Sequence, residues 1–231
     1  MEEPMIFVVD AANRRHFAAD LLTMHRQRKA VFVDRAGWKV PVIADQEIDR
    51  YDLLEETVYL LAKEEPHAPL LASARLLTTT GPHLMQDLYS AAYRAALPSG
   101  PRAWEISRYC TVPGICGRSK RLGFLSEVVC GVMELGLAQG VDQVIFAANR
   151  ALLPLALECG WDARAVGPTL SDGNDEVTAV AAAITPDGLS NVCSRHGIPG
   201  SVIRIFDGTD RTAESASVGP TIGLPEHASA S

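Results

Sequence analysis

The alternation of strand-like and helix-like segments in the second half of the sequence restricts the possible folds more than any other feature. Short apolar runs rich in β-branched and aromatic residues, typical of strands, are separated by longer runs with the 3.6-residue period of helices. Strands are predicted at 102–112, 143–149, 161–167 and 176–184, and helices at about 123–139 and 151–159. Such alternation is typical of a sheet covered by helices.

The first half of the sequence contains more strands than helices. Its predicted elements are a strand at 5–11, a helix from Asn13 to about Val33, a strand hairpin at 57–64 and 70–79, and a helix at 83–97. Both halves together predict one α/β (α+β) domain over residues 1–206, a three-layer sandwich around a mixed sheet. The segment 207–231 is small, polar and rich in Gly and Pro, which predicts a flexible tail.

Charge and composition exclude several classes of function. The formal net charge of −7 argues against nucleic acid as the main partner, because phosphate binding needs a basic surface. No apolar run reaches the roughly 18 residues of a membrane span, and the acidic start lacks the basic segment of a secretory signal. A cytoplasmic protein is therefore expected. The five scattered cysteines, without a CxxC pair, predict reduced thiols.

An arginine occupies the apolar face of the first predicted helix. Arg28 follows the helical spacing of Phe17, Leu21 and Met24. One interpretation is a snorkelling or ion-paired arginine near a helix end. The other is a ligand site, because aromatic side chains at Phe32 and Trp38 follow closely, and an arginine beside aromatic faces suits a ligand with a carboxylate and a flat or cationic group.

Acidic residues are concentrated in the long predicted loop 34–56. The stretch "EIDRYD" supplies Glu47, Asp49 and Asp52, which form either a solvated acidic loop or a receptor for a cationic ligand. A metal is not expected, because the glycine and the terminal glutamate of a calcium loop are missing. A further arginine, Arg75, lies in the middle of the strand 70–79, where it is either on an exposed edge or paired with a buried carboxylate.

The strand "RAWEISRYCTVPG" contains two opposite charges three residues apart. In a regular strand Glu105 and Arg108 would point to opposite faces of the sheet. If both serve one site, a β-bulge or sharp twist must occur between Ile106 and Tyr109. The sequence therefore predicts a distorted strand.

The order and spacing of eight of these residues resembles that of the acyl-homoserine-lactone synthases, the autoinducer synthases of bacterial quorum sensing. The matching contexts are "RQRKAVFVDRAGW", "EIDRYD", "ARLLTT" and "WEISRY", and the matching residues are Arg28, Phe32, Trp38, Asp49, Asp52, Arg75, Glu105 and Arg108. The resemblance covers roughly residues 10 to 190. It implies an N-acetyltransferase-like fold in which the central mixed sheet is splayed.

The resemblance also implies a reaction. The family transfers an acyl chain from acyl carrier protein or acyl-CoA to the amine of S-adenosylmethionine, closes a lactone and releases methylthioadenosine. S-adenosylmethionine is then a substrate, and no cofactor is expected. By resemblance, one group of residues would shape its pocket: Arg28, Phe32, Trp38, Asp49 and Asp52.

Three further roles follow from the same resemblance. Arg75 and Arg108 would hold the acidic residues and the substrate carboxylate. The substrate amine is largely protonated at neutral pH and needs a base before it attacks a thioester. Glu105 is the candidate for this base.

Acyl specificity and donor binding are assigned to two other segments. By resemblance, Phe146, Ala148 and Leu152 would line the acyl tunnel. Since a phenylalanine side chain cannot hydrogen-bond a 3-oxo group, an acyl chain without a 3-oxo group is expected. The basic stretch with Arg118, Lys120 and Arg121 is either a solvated loop or a contact for the acidic carrier protein or the phosphates of CoA.

Two other functions stay open on the sequence alone. An acetyl-CoA-dependent N-acetyltransferase of the same fold would need a Gly-rich turn at a helix start, and Leu125 stands where its second small residue belongs. A non-catalytic relative that senses a ligand is the other alternative. The presence of Glu105 and Arg108 argues against it.

Overall fold

A central sheet of nine strands organises the protein. The computed structural model describes residues 5–88, 97–166, 169–172 and 175–205. The strand order is β11-β1-β4-β5-β6-β7-β10-β8, with β9 also pairing with β10, while β2 and β3 form a separate hairpin. The strands are β1 (Met5–Val9), β2 (Val42–Ile43), β3 (Gln46–Glu47), β4 (Val58–Lys63), β5 (Ala72–Thr78), β6 (Ala103–Thr111), β7 (Gln143–Asn149), β8 (Ala163–Ala165), β9 (Leu170–Asp172), β10 (Asp175–Ala183) and β11 (Ile203–Arg204).

Helices cover both faces of this sheet. The α-helices are α1 (Ala18–Arg28), α2 (Leu84–Leu88), α3 (Arg118–Ala138), α4 (Leu153–Glu158) and α5 (Pro186–His196). A 3-10 turn at Arg14–Phe17 precedes α1, a π-helical segment at Lys29–Arg35 continues it, and a second 3-10 turn lies at Arg50–Leu53. The three-layer α/β architecture expected from the sequence is confirmed.

The sheet is mixed and opens in its middle. β1 pairs with β11, and β6 with β7, in parallel, whereas the other ladders are antiparallel. The parallel ladder between β6 and β7 begins at Ala103 and Gln143 and ends at Ile106 and Phe146. Both strands continue beyond that point without pairing to each other. This separation of the two strands is the splay that the family resemblance implied.

The two faces of the sheet have different cores. The face covered by α3, α4 and α5, here called the back face, carries one continuous apolar cluster that includes Ile6, Leu76 and Val144. The opposite face, here called the front face, carries two smaller clusters. One packs under α1 around Phe7 and Tyr59, and the other packs around Met85 and Ile145 at α2. The middle of the front face is not filled by either cluster.

Several boundaries differ from those predicted from the sequence. α3 begins at Arg118 rather than at residue 123, because Gly117, with φ of 90°, ends the preceding loop and the helix then runs through Gly123. The predicted loop 34–56 contains the hairpin of β2 and β3 and a 3-10 turn. The predicted helix 83–97 is seen at Leu84–Leu88, and residues 89–96 lie outside the described part of the chain. So does the expected tail at 207–231.

α5 and β11 were missed by the sequence analysis. α5 carries the usual terminal signals: the Thr185 side chain accepts a bond from Gly188 N, Pro186 occupies the first turn, and Gly197 ends the helix with φ of 67°. Its apolar face is narrow, which hid it from a search for apolar periodicity. The five cysteines are free thiols, as expected. Within the described ranges, no helix has the length and apolarity needed to cross a bilayer.

Candidate active site

A β-bulge in β6 determines which side chains reach the front face. Between two points of the ladder, β5 advances from Ser73 to Arg75 while β6 advances from Cys110 to Ser107, so that β6 contains one extra residue. Arg108 takes up the irregularity with φ of 54°, in the left-handed region. The predicted distortion of this strand is confirmed.

The bulge changes the facing of every residue that follows it. Glu105 and Ser107 lie on the front face, and Arg108 joins them there because of the extra residue, as its bonds to Glu47 and Asp49 show. Tyr109, which a regular strand would place on the front face, packs with Ile106 into the back-face cluster. Glu105 and Arg108 therefore share one face.

Three arginines and three carboxylates fill the middle of the front face. We call this set the ionic cluster; its members are Arg28, Arg75, Arg108, Glu47, Asp49 and Asp52. Their side chains are between 0% and 8% exposed. The formal charges of the set sum to zero, which satisfies the rule that buried charges are paired.

Arg28 anchors one end of the ionic cluster from the end of α1. Its Nε donates to Glu47 Oε2 at 2.5 Å. Its Nη1 and Nη2 donate to the two oxygens of Asp52, each at 2.9 Å, which is a bidentate pair. The arginine that the sequence placed on an apolar helix face is thus fully buried and ion-paired.

Arg75 occupies the centre of the cluster and uses all three nitrogens. Nε donates to Ser107 Oγ at 3.0 Å, Nη1 to Asp49 at 2.6 Å and to Asp52 at 2.9 Å, and Nη2 to Asp49 at 3.1 Å. Its side chain has no exposed surface. Tyr59 adds a hydrogen bond from its hydroxyl to Asp52 at 2.9 Å.

Arg108 is the arginine of the cluster with spare hydrogen-bonding capacity. Its Nε donates to Glu47 at 3.1 Å and its Nη2 to Asp49 at 2.8 Å. Among the described residues its Nη1 has no hydrogen-bond partner, and its side chain is 6% exposed. The guanidinium lies 6.0 Å from the ring centre of Phe32. Arg108 is therefore the arginine of the cluster with a side-chain nitrogen left for a further partner.

Local sequence explains how "EIDRYD" presents its acids. Asp49 caps the 3-10 turn Arg50–Leu53 by accepting from Tyr51 N at 2.9 Å, and Asp52 accepts from Asp49 N at 2.8 Å. These reciprocal bonds form a capping box. Burial alone would raise the pKa of Asp52, but its bonds to Arg28 and the charge of Arg75 hold that pKa below its usual range.

An aromatic pair lies beside Arg108. The π-helical segment carries Phe32, whose ring stacks on Trp38 with centres 4.6 Å apart and an interplanar angle of 8°. π-helical turns are frequent at functional sites. The two aromatic residues that the sequence assigned to the ligand pocket are thus brought together next to the ionic cluster.

Glu105 lies on the same face but is not bonded to Arg108. Its carboxylate accepts from Leu84 N at 3.2 Å and from Met85 N at 2.6 Å, at the start of α2, and it is fully buried. Burial raises the pKa of Glu105 above its usual value. The bulge therefore places Glu105 and Arg108 on the same face, as expected, but the two side chains are not bonded to each other.

The residues assigned to the acyl tunnel meet on the back face. Phe146 and Ala148 are buried in the back-face cluster and Leu152 packs against it. Trp161, which the sequence analysis missed, stacks on Phe146 with ring centres 5.6 Å apart, and its Nε1 donates to Ala156 O at 2.8 Å. The glycine-flanked, otherwise polar context of Trp161 gave no signal of this contact.

The basic residues lie in the first turn of α3, on the outside of the same layer. Arg118, Lys120 and Arg121 are exposed. Arg118 forms an ion pair with Glu158 on α4. Among the described residues no ion pair is found for Lys120 or Arg121, so these two charges are available at the surface.

Glu47 is a cluster member that the sequence analysis noticed in the acidic loop but did not assign. It is fully buried and joins Arg28 to Arg108. Its backbone oxygen is 2.9 Å from His25 Nδ1, which ties the β2–β3 hairpin to α1. The signal was present in the sequence, since Glu47 lies two residues before Asp49, but spacing alone did not separate it from a solvated acid.

Known proteins are similar to this chain in both sequence and structure. The sequence profile of the family described as autoinducer synthase matches residues 12–190. The isovaleryl-homoserine lactone synthase of Bradyrhizobium diazoefficiens is 34% identical over 86% of this chain and 88% of its own. An acyl-homoserine-lactone synthase of Rhizobium etli is 32% identical over 60% of this chain and 65% of that protein.

Solved structures show the same similarity. The CoA-dependent acyl-homoserine lactone synthase BjaI, crystallised with SAM and isopentyl-CoA, has a TM-score of 0.76 and 28% identity over 88% of this chain and 93% of its own. An N-acetyltransferase of Lactobacillus plantarum, with a TM-score of 0.53 and 17% identity over 79% and 99% of the two chains, shares the fold alone.

The splayed mixed sheet with helices on both faces defines the fold class: the protein has the N-acetyltransferase-like fold. The profile match and the relatives then fix the family. The chain belongs to the autoinducer synthases, the acyl-homoserine-lactone synthases.

Proposed function

We propose that this enzyme transfers an acyl group from acyl-CoA to the amine of S-adenosylmethionine, closes the homoserine lactone and releases methylthioadenosine. One observation carries the proposal: β6 and β7 part from each other between a polar aromatic site on the front face and an apolar cluster on the back face. A polar cationic substrate and an apolar acyl chain could meet there. Two CoA-dependent synthases among the structural relatives support CoA as donor.

The ionic cluster and the aromatic pair are the proposed S-adenosylmethionine site. Every side-chain nitrogen of Arg28 and of Arg75 already donates to a neighbouring side chain, so their role would be to fix Asp49, Asp52 and Glu47 in place. Arg108 keeps an unoccupied Nη1 and would receive the substrate carboxylate. The flat faces of Phe32 and Trp38 would contact the adenosyl and sulfonium groups.

Glu105 is the proposed base for the attacking amine. Burial raises the pKa of Glu105 and so brings it closer to neutral pH. A carboxylate with a pKa closer to the working pH is a stronger base, which favours base catalysis. In this scheme the rate falls as pH drops through that raised pKa. The amine then attacks the thioester, the CoA thiolate leaves, and the substrate carboxylate displaces the sulfonium to close a five-membered ring, a step that mainly needs positioning.

The Glu105→Gln variant tests this role. Its turnover with both substrates saturating should fall about 10²–10⁴-fold, the usual contribution of a general base, and the acidic limb of the pH profile should disappear. Turnover near that of the parent enzyme would show that Glu105 is not the base.

The back-face cluster is the proposed acyl site. Phe146 and Ala148 offer no hydrogen-bond donor to a 3-oxo group, so we expect an acyl chain without one. The exposed charges of Lys120 and Arg121 would meet the phosphates of CoA. Reversing both charges should raise KM for the acyl donor and leave KM for S-adenosylmethionine unchanged.

Mass spectrometry of products tests the reaction itself. The purified enzyme is incubated with S-adenosylmethionine and matched series of acyl-CoA and acyl-carrier-protein donors, with and without a 3-oxo group. An acyl-homoserine lactone made preferentially from acyl-CoA is the expected result. Preference for carrier-protein donors would overturn the CoA assignment, a 3-oxo product would overturn the acyl assignment, and absence of any lactone would overturn the proposed reaction.

A further inference from the structure

We infer that the hydroxyl of Tyr109 is a hydrogen-bond donor to an oxygen atom of the bound acyl donor, and so a specificity-determining residue of the back-face site. The inference rests on the proposed function. It concerns a residue outside the ionic cluster and outside the residues assigned to the acyl tunnel.

The first observation is an unpartnered polar atom. Tyr109 Oη is buried and has no hydrogen-bond partner within the described part of the chain. A buried hydroxyl without a partner destabilises a protein, because the group has lost its bonds to water. The hydroxyl therefore does not stabilise the fold, and a phenylalanine would fill the same space without the free-energy cost of a buried, unpaired hydroxyl.

The second observation is where the bulge places the ring. The extra residue in β6 sends Tyr109 to the back face, where it packs in the same cluster as Phe146, Ala148 and Leu152. Tyr109 lies beyond Ile106, the last residue of β6 that pairs with β7. The hydroxyl is therefore buried at the splay, on the side assigned to the acyl donor.

The surroundings of the phenol fit a position between the two ends of that donor. The charges of Arg121 and Glu127, on the first half of α3, act on Tyr109, as does the thiol of Cys159 that follows α4. Tyr109 thus packs against the back-face cluster that contains Phe146 and also interacts electrostatically with Arg121, in the exposed basic turn of α3. An acyl-CoA with its acyl chain in that cluster and its phosphates at that turn would pass its thioester near Tyr109.

The chemistry of the group limits what it can do. Burial is the main cause that raises the pKa of Tyr109, so the phenol stays protonated at physiological pH and acts as a donor of a hydrogen bond rather than of a proton. An acceptor oxygen on the acyl donor is its natural partner. That oxygen is either the carbonyl of the thioester or an oxygen carried further along the acyl chain.

The Tyr109→Phe variant tests the inference. Its Tm should equal or exceed that of the parent enzyme, while kcat/KM for the acyl donor falls about fivefold or more, as expected for one lost hydrogen bond, and KM for S-adenosylmethionine stays the same. Tyr59→Phe is the matched stability control, because the Tyr59 hydroxyl bonds to Asp52 and its removal should lower Tm.

Donor series separate the two acceptors. An equal loss with hexanoyl-CoA and 3-hydroxyhexanoyl-CoA assigns the bond to the thioester carbonyl, and a loss confined to the hydroxylated donor assigns it to the acyl chain. Unchanged kcat/KM with every donor, or a fall in activity that parallels a fall in Tm, would overturn the inference. If the parent enzyme itself makes no lactone, the proposed function has failed instead.

Discussion

Replacing Glu127 with glutamine should make the protein more stable, but only at neutral and alkaline pH. Glu127 is half-buried on α3 beside a cavity of about 310 Å³ that Arg195 and His196 also line. Burial and the charge of Glu64 raise its pKa from the usual 4.5 to about 7. A carboxyl with a raised pKa contributes stability that is complete below about pH 4.5 and is lost as pH rises through about 7.

The magnitude follows from this displacement of the pKa. The difference between 4.5 and about 7 corresponds to at most about 3 kcal/mol. Because the side chain is half-buried, solvent screening reduces the figure to ~1–2 kcal/mol. Glutamine does not ionise and avoids this loss. For a chain of this length the gain should be ~3–6 °C in Tm.

Thermal unfolding of both proteins at about pH 4 and about pH 8.5 measures the effect. The Glu127→Gln variant should match the parent protein at the lower pH and exceed it at the higher one. Glu134→Gln, on the same helix, is the control: its carboxylate accepts from Ser201 Oγ, Val202 N and Ile203 N, so its loss should lower Tm at both values. A constant difference between parent and Glu127→Gln across pH would refute the reasoning.

Two further predictions concern stability. Asp52→Asn removes a carboxylate that pairs with both Arg28 and Arg75 and should cost ~3–5 kcal/mol, the usual effect of breaking a buried pair; a urea-unfolding difference below about 1 kcal/mol would contradict the role of the ionic cluster. Gly131→Ala would place a Cβ 2.9 Å from Ile6 Cγ2 and should lower Tm through overpacking that costs ~1–3 kcal/mol, whereas Gly123→Ala meets no atom within 4 Å and should raise Tm by relieving the entropy cost of a helical glycine.

Much of the fold was readable because its signals are local. Alternating apolar residues and turn residues located most of the strands, and the helical period located α1 and α3. The site could be predicted for a different reason. Charges such as Arg75 and Glu105 occur within strands that the apolar pattern would bury, and this made them candidate site residues. The strand distortion at Arg108 followed from requiring two of these charges to share a face.

What could not be read depends on contacts between distant segments. The sequence placed Glu105 in one site with Arg108, but the hydrogen-bond partners of Glu105 are the backbone N–H groups of Leu84 and Met85, which carry no side-chain signal. The stack of Trp161 on Phe146 likewise depends on how α4 packs. Local pattern identifies a buried polar group, whereas only the tertiary structure shows what satisfies it.

The bulge in β6 reverses the alternation of side chains between the two faces of the sheet for all later residues of the strand. Before the bulge, odd-numbered residues such as Glu105 and Ser107 face the ionic cluster. After it, even-numbered Cys110 faces that cluster, and Tyr109 faces the back face. Deleting Arg108 would therefore turn Tyr109 to the front face and Cys110 to the back face, while the residues up to Ser107 would keep their facing. Substitutions leave the facing of the other residues unchanged and can therefore alter one face while the other keeps its composition. Residues beyond 108 are thus separate targets for engineering the proposed S-adenosylmethionine site and the proposed acyl site.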